Sequence, residues 1–513
     1  MQSELVHNRR WWILGVLSLC LLVISLDNTI LNVALPSIEG DLGASASQMQ
    51  WIVDSYVLVF AGLLLTAGSL GDRFGRKRAL ILGLGVFGAG SLLSAVSGSA
   101  DSLIASRALM GIGAAFIMPT TLSVLTNVFP AEERPKAIGI WAAVAGIGVA
   151  IGPISGGALL EHFEWASVFV VNLPIVVVGI AAALWLVPES KDPKHSALDP
   201  IGAVLSIAGL SAVVWGIIEA GGGHWGDPKV LGALGGGVAL LGVFARWELH
   251  APSPMLDVRL FRIGAFSGAS GSIALVFFAL FGSIFFLTQY LQGVMDYTAL
   301  EAGVRTLPVA GGLVVGGPLS AKLAERFGNR IVVAAGLTIA GAGLGLLSMV
   351  QVDSGYGLVA ASMAVLGVGM GSSMAPATES IMSVLPEAHA GVGAAMNDTT
   401  RMVGGSLGVA VLGSLLSSGY GASMERATEG LPAGAADAAQ NSLGGASAVA
   451  DGIGGDAGAA LSGAADAAFV AAMSDALMVG GLVALAGAVL AFTLMPGRAS
   501  AARVSPVAEP VPA

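Results

Sequence analysis

Gly68-Ser69-Leu70-Gly71-Asp72-Arg73-Phe74-Gly75-Arg76-Lys77-Arg78 is a tight basic turn between two long apolar segments. A fainter copy lies downstream: Leu323-Ala324-Glu325-Arg326-Phe327-Gly328-Asn329-Arg330. Residue 72 aligns with residue 325, an offset of 253 positions, and Leu70, Arg73, Phe74 and Gly75 find Leu323, Arg326, Phe327 and Gly328 at the same offset. A turn copied once in an apolar chain predicts two parallel repeats, and that decides the fold.

The surrounding composition supplies the solvent. The 513 residues are 55% apolar and only 11% charged, against roughly 25% charged in a soluble protein. Uncharged runs of about 20 residues match the hydrocarbon thickness of a bilayer. The chain is therefore read as an all-α polytopic membrane protein with fourteen spans: 11–33, 50–71, 79–98, 102–125, 137–160, 167–187, 198–219, 229–248, 266–289, 301–324, 330–351, 356–382, 390–418 and 470–495. The first apolar run follows His7-Asn8-Arg9-Arg10, as in a secretory signal, but no small-x-small cleavage site follows it. It is read as an uncleaved membrane helix. One cysteine, Cys20, excludes an internal disulfide framework. The net charge of −10 resides largely in loops and carries no nucleic-acid inference.

Offsetting span 1 by 253 gives span 9, and span 5 gives span 13. The expected organisation is a six-helix bundle over 1–187, a polar linker and two inserted helices over 188–265, a second six-helix bundle over 266–495, and a tail over 496–513. Residues 419–469, rich in Ala, Gly, Ser and Asp, are expected to form a disordered low-complexity loop too poor in large apolar residues to build a core. Of the 23 Lys and Arg, 18 fall on the side of the first residues and only three on the other: Lys229, Arg305 and Arg426. The positive-inside rule then places both termini in the cytoplasm and 419–469 outside a cell membrane crossed many times.

Ionisable groups inside the spans need a reason, because a charge at mid-bilayer costs at least about 2.5–3.5 kcal/mol. At ~1.5 Å per residue, Asp27 lies ~24 Å from the inner end of span 1, Asp54 ~6 Å and Arg107 ~8 Å from the outer ends of theirs. All three reach a similar level on the outer side, so an Asp27–Arg107 pair with Asp54 nearby is geometrically feasible. In the second half stand Glu379, and Asp398 with Arg401 three residues on, which share a helix face. Each acid has two readings: Asp27 a structural partner of Arg107 or a proton carrier, Asp54 an interfacial carboxylate or a carrier. Asp398 either neutralises Arg401 or titrates, and Glu379 lies in solvent if span 12 ends early. In span 5, Gly148, Gly152 and Gly156 recur every four residues and line one face, while Pro153 bends the helix.

Taken together these motifs resemble the major facilitator superfamily. The Gly68–Arg78 turn matches its signature between helices 2 and 3, with Gly71 for the usual Ala; Gly152-Pro153-x-x-Gly156-Gly157 resembles the fifth-helix motif of its drug-exporting branches. Leu26-Asp27-Asn28-Thr29 through Pro36 is similar to the first-helix signature of the fourteen-helix drug:proton antiporters, and Leu103/Arg107/Gly111-Ile112-Gly113 in span 4 resembles that family's fourth-helix motif, with Met110 in place of a common Gln. Trp165, Phe169, Asn172 and Pro174 extend the resemblance into span 6. It implies a proton-coupled exporter of lipophilic or cationic small molecules. Asp27, Asp54, Arg107, Glu379, Asp398 and Arg401 would serve coupling or substrate, and Gly68, Gly71, Asp72, Arg73, Gly75, Arg76, Gly148, Gly152, Pro153, Gly156 and Gly157 conformational gating. The partners implied are small molecules, protons and the lipid bilayer, with no cofactor, metal or nucleic acid and a functional monomer. A dedicated exporter of one metabolite, lipid or peptide is the alternative, and a membrane-embedded sensor a third class.

Competing matches fail on context. Gly83-Leu84-Gly85-Val86-Phe87-Gly88 fits a dinucleotide fingerprint but lies inside a span with no strand before it. Glu161-His162-Phe163-Glu164 lacks zinc-protease spacing, and no Walker loop occurs, so ATP is not the expected energy source. With no soluble catalytic module, metal cluster or nucleotide site in the sequence, no enzymatic activity is expected. A membrane potential of 100 mV supplies about 2.3 kcal/mol per charge, enough for a roughly 50-fold gradient.

Overall fold

The computed structural model describes residues 2–130, 133–191, 199–221, 225–252, 254, 256, 258–383 and 390–497. Most of the expected 188–197 linker and 496–513 tail lies outside the described residues. The helices run α1 Gln2–Leu42, α2 Ala46–Phe74, α3 Arg76–Ala95, α4 Ala100–Val128, α5 Arg134–His162, α6 Ser167–Val170 and α7 Asn172–Leu186. The expected inserted spans are α8 Pro200–Glu219 and α9 Pro228–Glu248. There follow α10 Gly264–Gln289, α11 Ala299–Arg305, α12 Leu307–Phe327, α13 Asn329–Leu347, α14 Tyr356–Met382, α15 Ala390–Ala427, α16 Ala433–Asn441, α17 Leu443–Ile453 and α18 Gly455–Leu494. No strand occurs among the described residues. Each of the fourteen expected spans coincides with a helix or a broken helix. Among the described residues twelve stretches are long and apolar enough to cross a membrane, or thirteen if the bent pair within α2 is one span.

The chain divides into two compact units. The first holds residues 1–213, 232–255 and 291–304; the second holds 214–231, 256–290 and 305–513. Within the first, the helices packed most extensively are α2 on α4, α3 on α4 and α1 on α5, with α7 on α3 and α1. Within the second the same list recurs as α12 on α14, α13 on α14, α10 on α15, and α18 on α13 and α10. The duplication reaches single glycines. Gly83 of α3 presses on the Gly113 carbonyl and Gly336 of α13 on the Gly369 carbonyl; Gly90 meets the Met110 amide and Gly343 the Leu366 amide. A Cβ on any of these four would lie 2.6–2.9 Å from that backbone atom. The α3/α13 partners are 253 apart and the α4/α14 partners 256, because three more residues separate Gly343 from Leu366 than separate Gly90 from Met110.

The copied turns confirm the repeat from the backbone outward. Gly75 joins α2 to α3 at φ +119° and Gly328 joins α12 to α13 at φ +85°, conformations glycine adopts without a Cβ penalty. Arg73 stands 5.4 Å over the Phe74 ring and Arg326 5.4 Å over the Phe327 ring. Large apolar side chains face outward in bands: Val177, Val178 and Trp185 on α7, Leu482, Val489 and Phe492 on α18. In water such faces would be a liability; against lipid they are the solvated surface.

The region 419–469 departs from the expected disordered loop. It is helical: α15 runs on to Ala427, α16 and α17 follow, and α18 begins at Gly455. Ala-rich sequence has high helix propensity, and small side chains permit close packing where large ones are missing. Tyr420 donates its hydroxyl to the carbonyls of Ala439 (3.0 Å) and Ser442 (3.1 Å), Gln440 reaches Thr428 (2.6 Å), and Ser442 caps α17 by accepting from the Gly445 amide. Ala439, Ala446, Ala450 and Ala465 are buried.

Candidate functional site

A polar cluster lies buried in the first unit, built from six helices. On α1, Asp27 is fully buried, and so is Arg107 on α4, at 1% exposure. Arg107 Nη1 donates to Asp27 Oδ2 at 2.6 Å, Nε donates to the Ile52 carbonyl at 3.2 Å, and the guanidinium lies 4.4 Å over the Tyr56 ring. The second carboxylate oxygen, Oδ1, accepts from Asn172 Nδ2 at 3.1 Å. That amide also donates to Ser91 Oγ on α3, which in turn donates to the Phe169 carbonyl at 2.9 Å. The charged pair is thus paid for by hydrogen bonds on both carboxylate oxygens, the condition for burying it at all.

Local sequence explains the arrangement. Gly111 brings α4 against α2: a Cβ there would sit 2.5 Å from the Tyr56 carbonyl. That closeness puts Arg107 within reach of Ile52 and Tyr56. Met110, which stands where a Gln was expected, turns its sulfur into the cluster and accepts weakly from Arg107 Nη1 (3.7 Å) and Ser94 Oγ (3.5 Å). Asp54 is fully buried on the stretch of α2 between Ile52 and Tyr56. Asn172 is the first residue of α7, just beyond the break that separates it from α6.

The repeat makes the pair asymmetric. At the offsets found above, Asp27 corresponds to Leu280 and Arg107 to Met363, both buried apolar residues. The second unit carries its own charges elsewhere. Arg401 Nη1 lies 3.6 Å from Asp398, Nη2 reaches Thr378 at 3.5 Å, and the guanidinium stands 5.4 Å over Phe277. Asp398 and Arg401 are 18% and 24% exposed. Glu379 is exposed and accepts from Asn329 at 3.3 Å, apart from the Asp398–Arg401 pair in sequence and partners. Phe285, Phe286, Met363 and Met370 of that unit are fully buried in its core.

The Gly68–Arg78 turn forms a second assembly. Asp72 accepts from Arg76 Nε at 2.7 Å and from Ser123 Oγ at 3.1 Å, tying the turn to α4. Arg76 donates its amide to the Ser190 carbonyl at 3.0 Å, Lys77 reaches the Leu184 carbonyl at 2.7 Å, and Arg78 approaches Glu189 at 3.6 Å. A Cβ on Gly75 would run into the Glu189 carboxylate. Gly68 and Gly71 face Pro119 and Thr120 of α4 at 3.3 and 3.2 Å in the same sense. The chain leaving α7 therefore straps the turn, with Arg73 the one basic residue stacked on Phe74.

The third assembly is the glycine face of α5. Gly148 lies against Leu22 and Ser25, Gly152 against Thr29, and Gly156 against Ile30, so α5 and α1 approach at backbone distance. Pro153 sits inside a continuous helix, and its carbonyl is covered by Gly303. Gly157 meets Ala299 and Leu300. The segment 291–304 thus packs on the end of α5, and Gln292 donates to the Val33 carbonyl of α1 at 3.0 Å.

Sequence reasoning assigned no role to Tyr56, Ser91, Asn172, Glu189 or the 291–304 segment. Asn172 entered only through the resemblance of the start of span 6, with no partner assigned to it. The Gly83–Gly88 fingerprint lies within α3, as expected. No group of three or more His, Cys, Asp or Glu able to hold a metal occurs among the described residues.

A polytopic helical bundle built from two copies, with the buried Asp27–Arg107 ion pair and two glycine-bearing close contacts, has the form of a membrane transporter. Residues 17–409 match the Major Facilitator Superfamily, and the chain belongs to that family. It is 36% identical over 482 residues to "Multidrug efflux pump LfrA" of Mycolicibacterium smegmatis, covering 94% of this chain and 95% of that one. It is 37% identical to "Methyl viologen resistance protein SmvA" of Salmonella typhimurium, covering 93% and 96%. "Tetracenomycin C resistance and export protein" of Streptomyces glaucescens is 35% identical, with 81% and 78% covered. A solved bacterial homolog of the human lysosomal transporter Spinster superposes with a TM-score of 0.67 at 19% identity, covering 94% of this chain and 97% of that one, a likeness of fold.

Proposed function

We propose that this chain exports lipophilic, commonly cationic small molecules across the cell membrane in exchange for protons. The relatives' names supply the substrate class: multidrug efflux, methyl viologen resistance, tetracenomycin C export. The observation that carries the coupling reading is the fully buried Asp27–Arg107 pair, which the second copy of the bundle lacks. Loading a proton on Asp27 removes the counter-charge of Arg107, and a buried cation without its partner drives rearrangement. The chain's orientation follows the Lys and Arg bias, with both termini cytoplasmic. It acts as a monomer.

In the same reading Asp398 and Arg401 form a second, more accessible pair for substrate or proton, and the buried Asp54 and the exposed Glu379 act as auxiliary acids. The turn at Gly68–Arg78 and the glycine face of α5 hold one conformation closed until the proton or drug arrives. Inverted membrane vesicles test the reading. A pH gradient should drive uptake of a fluorescent cationic dye, an uncoupler should abolish it, and Asp27→Asn should lower it at least about tenfold, the worth of one charge-assisted contact. Full proton-driven activity in Asp27→Asn would remove Asp27 from the mechanism. The tetracenomycin relative supports a second reading, export of one metabolite. A resistance profile confined to a single compound class would favour it.

A further inference from the structure

The Asp27–Arg107 pair has a third member whose geometry is not that of a passive brace. Asn172 is completely buried. Both hydrogens of its amide are used, one on Asp27 Oδ1 and one on Ser91 Oγ, each at 3.1 Å. Its carbonyl oxygen is buried with no donor. An orphaned amide oxygen in a dry core costs about 1–3 kcal/mol, so what holds the amide in this orientation is its two donations, one of them to the carboxylate. Once Asp27 carries a proton on Oδ1 it becomes a donor on the side the NH2 now faces, and the amide oxygen becomes its matching partner.

We infer that Asn172 reads the protonation state of Asp27 by turning over its carboxamide. With Asp27 ionised, the NH2 face donates to the carboxylate, as observed. With Asp27 protonated, a half-turn of the amide presents Oδ1 to the new O–H. The same oxygen has a second lone pair, which accepts from Ser91. The Ser91 hydroxyl then leaves the Phe169 carbonyl, to which it now donates. No covalent bond other than the Asp27 O–H is made or broken; the proton comes from the aqueous phase and returns to it. The message passes from a carboxyl on α1 to the break between α6 and α7, since Phe169 belongs to α6 and Asn172 begins α7.

The charged and titratable surroundings are few. α4 contributes Arg107, and α2 contributes Tyr56, whose ring lies under the guanidinium, and the buried Asp54. Between Ala137 and Leu160, α5 has no titratable residue, nor has α7, and α3 offers none between Ala79 and Ala95. Among the described residues, Asn172 is therefore an uncharged group hydrogen-bonded to the carboxylate that can serve as donor or acceptor. Its role is positioning, since it acts through Asp27.

This inference rests on the proton-coupling reading, and one experiment separates the two. Infrared difference spectra between acid and alkaline pH are recorded on the full chain in lipid vesicles, with carbon-13 in the carboxamide of every asparagine. A carboxyl band absent from Asp27→Asn should appear at acid pH, and a labelled carboxamide band should shift with it and vanish in Asn172→Leu. Asn172→Gln, unlabelled at that site, serves as a second reference if the leucine variant does not fold. Proton-driven dye transport in Asn172→Leu should fall roughly tenfold, the worth of one hydrogen bond to a charged group. An Asp27 band that titrates while the labelled amide stays silent in the wild type overturns the inference and leaves the coupling reading standing. Absence of any titrating Asp27 band overturns the coupling reading itself.

Discussion

At the scale of single residues the question is whether Asp27 and Arg107 act as a unit. Removing one partner of a buried, hydrogen-bonded ion pair costs about 3–5 kcal/mol because the other charge is stranded. Arg107→Met should therefore lower the thermal midpoint of the purified protein sharply, and Asp27→Asn should lower it too. The double variant should lose less than the sum of the two, with a coupling of about 1 kcal/mol or more, as for residues in one network. Additivity would mean that the two groups do not share their energy. Arg107→Lys should not restore the wild-type midpoint, because an ammonium cannot donate to Asp27 and Ile52 in the fixed geometry of a guanidinium while lying flat on Tyr56. The sequence located this pair by depth alone, since two charges at one level of the bilayer have few ways to be buried. It named Asn172 only through the family resemblance and did not pair it with Asp27, because an uncharged amide carries no comparable cost in an apolar run.

At the scale of elements the glycines make the sharpest test. A Cβ on Gly156 would lie 2.8 Å from the Ile30 side chain and 3.1 Å from its carbonyl. Gly156→Leu should push α5 off α1 and reduce dye transport at least about tenfold, whereas Gly98→Ala, where a Cβ meets nothing within 4 Å, should transport as wild type. Overpacking of a close contact typically costs about 1–3 kcal/mol. Equal activity in both variants would show that α1 and α5 need not meet at backbone distance. Gly75→Ala should be destabilising on a separate ground, since its φ of +119° suits glycine and its Cβ would strike Glu189. Every-fourth glycines in span 5 declared a close helix contact in advance. What they faced was not declared: 3.6-residue periodicity names a face of a helix, not the neighbour that covers it.

At the scale of the whole molecule the prediction concerns orientation. Cys20 is the only cysteine and is buried, so Cys20→Ala gives a clean background. In it, Asp437→Cys on the exposed side of α16 should react with a membrane-impermeant maleimide in intact cells. Arg78→Cys, on an exposed residue of the copied turn, should react only after permeabilisation. The reverse pattern would invert the topology and the direction of transport inferred from it. The same experiment bears on 419–469, because a packed helical segment should protect Ala439→Cys, which is fully buried, while Asp437→Cys reacts.

The sequence by itself determined the membrane, the two copies and the positions where charge had to be explained. Those properties are written in composition, periodicity and spacing, which report on solvent and on local geometry. Only tertiary structure decided who meets whom: that Arg107 spans Asp27, Ile52 and Tyr56, that Met110 offers sulfur to that cluster, that Glu189 closes the copied turn, and that an alanine-rich stretch without large side chains nevertheless packs. These are contacts between residues far apart in the chain: 145 positions separate Asp27 from Asn172, and 259 separate Gln292 from Val33. Their existence depends on backbones brought within a few ångströms by glycines on different helices, which no single helix's pattern contains.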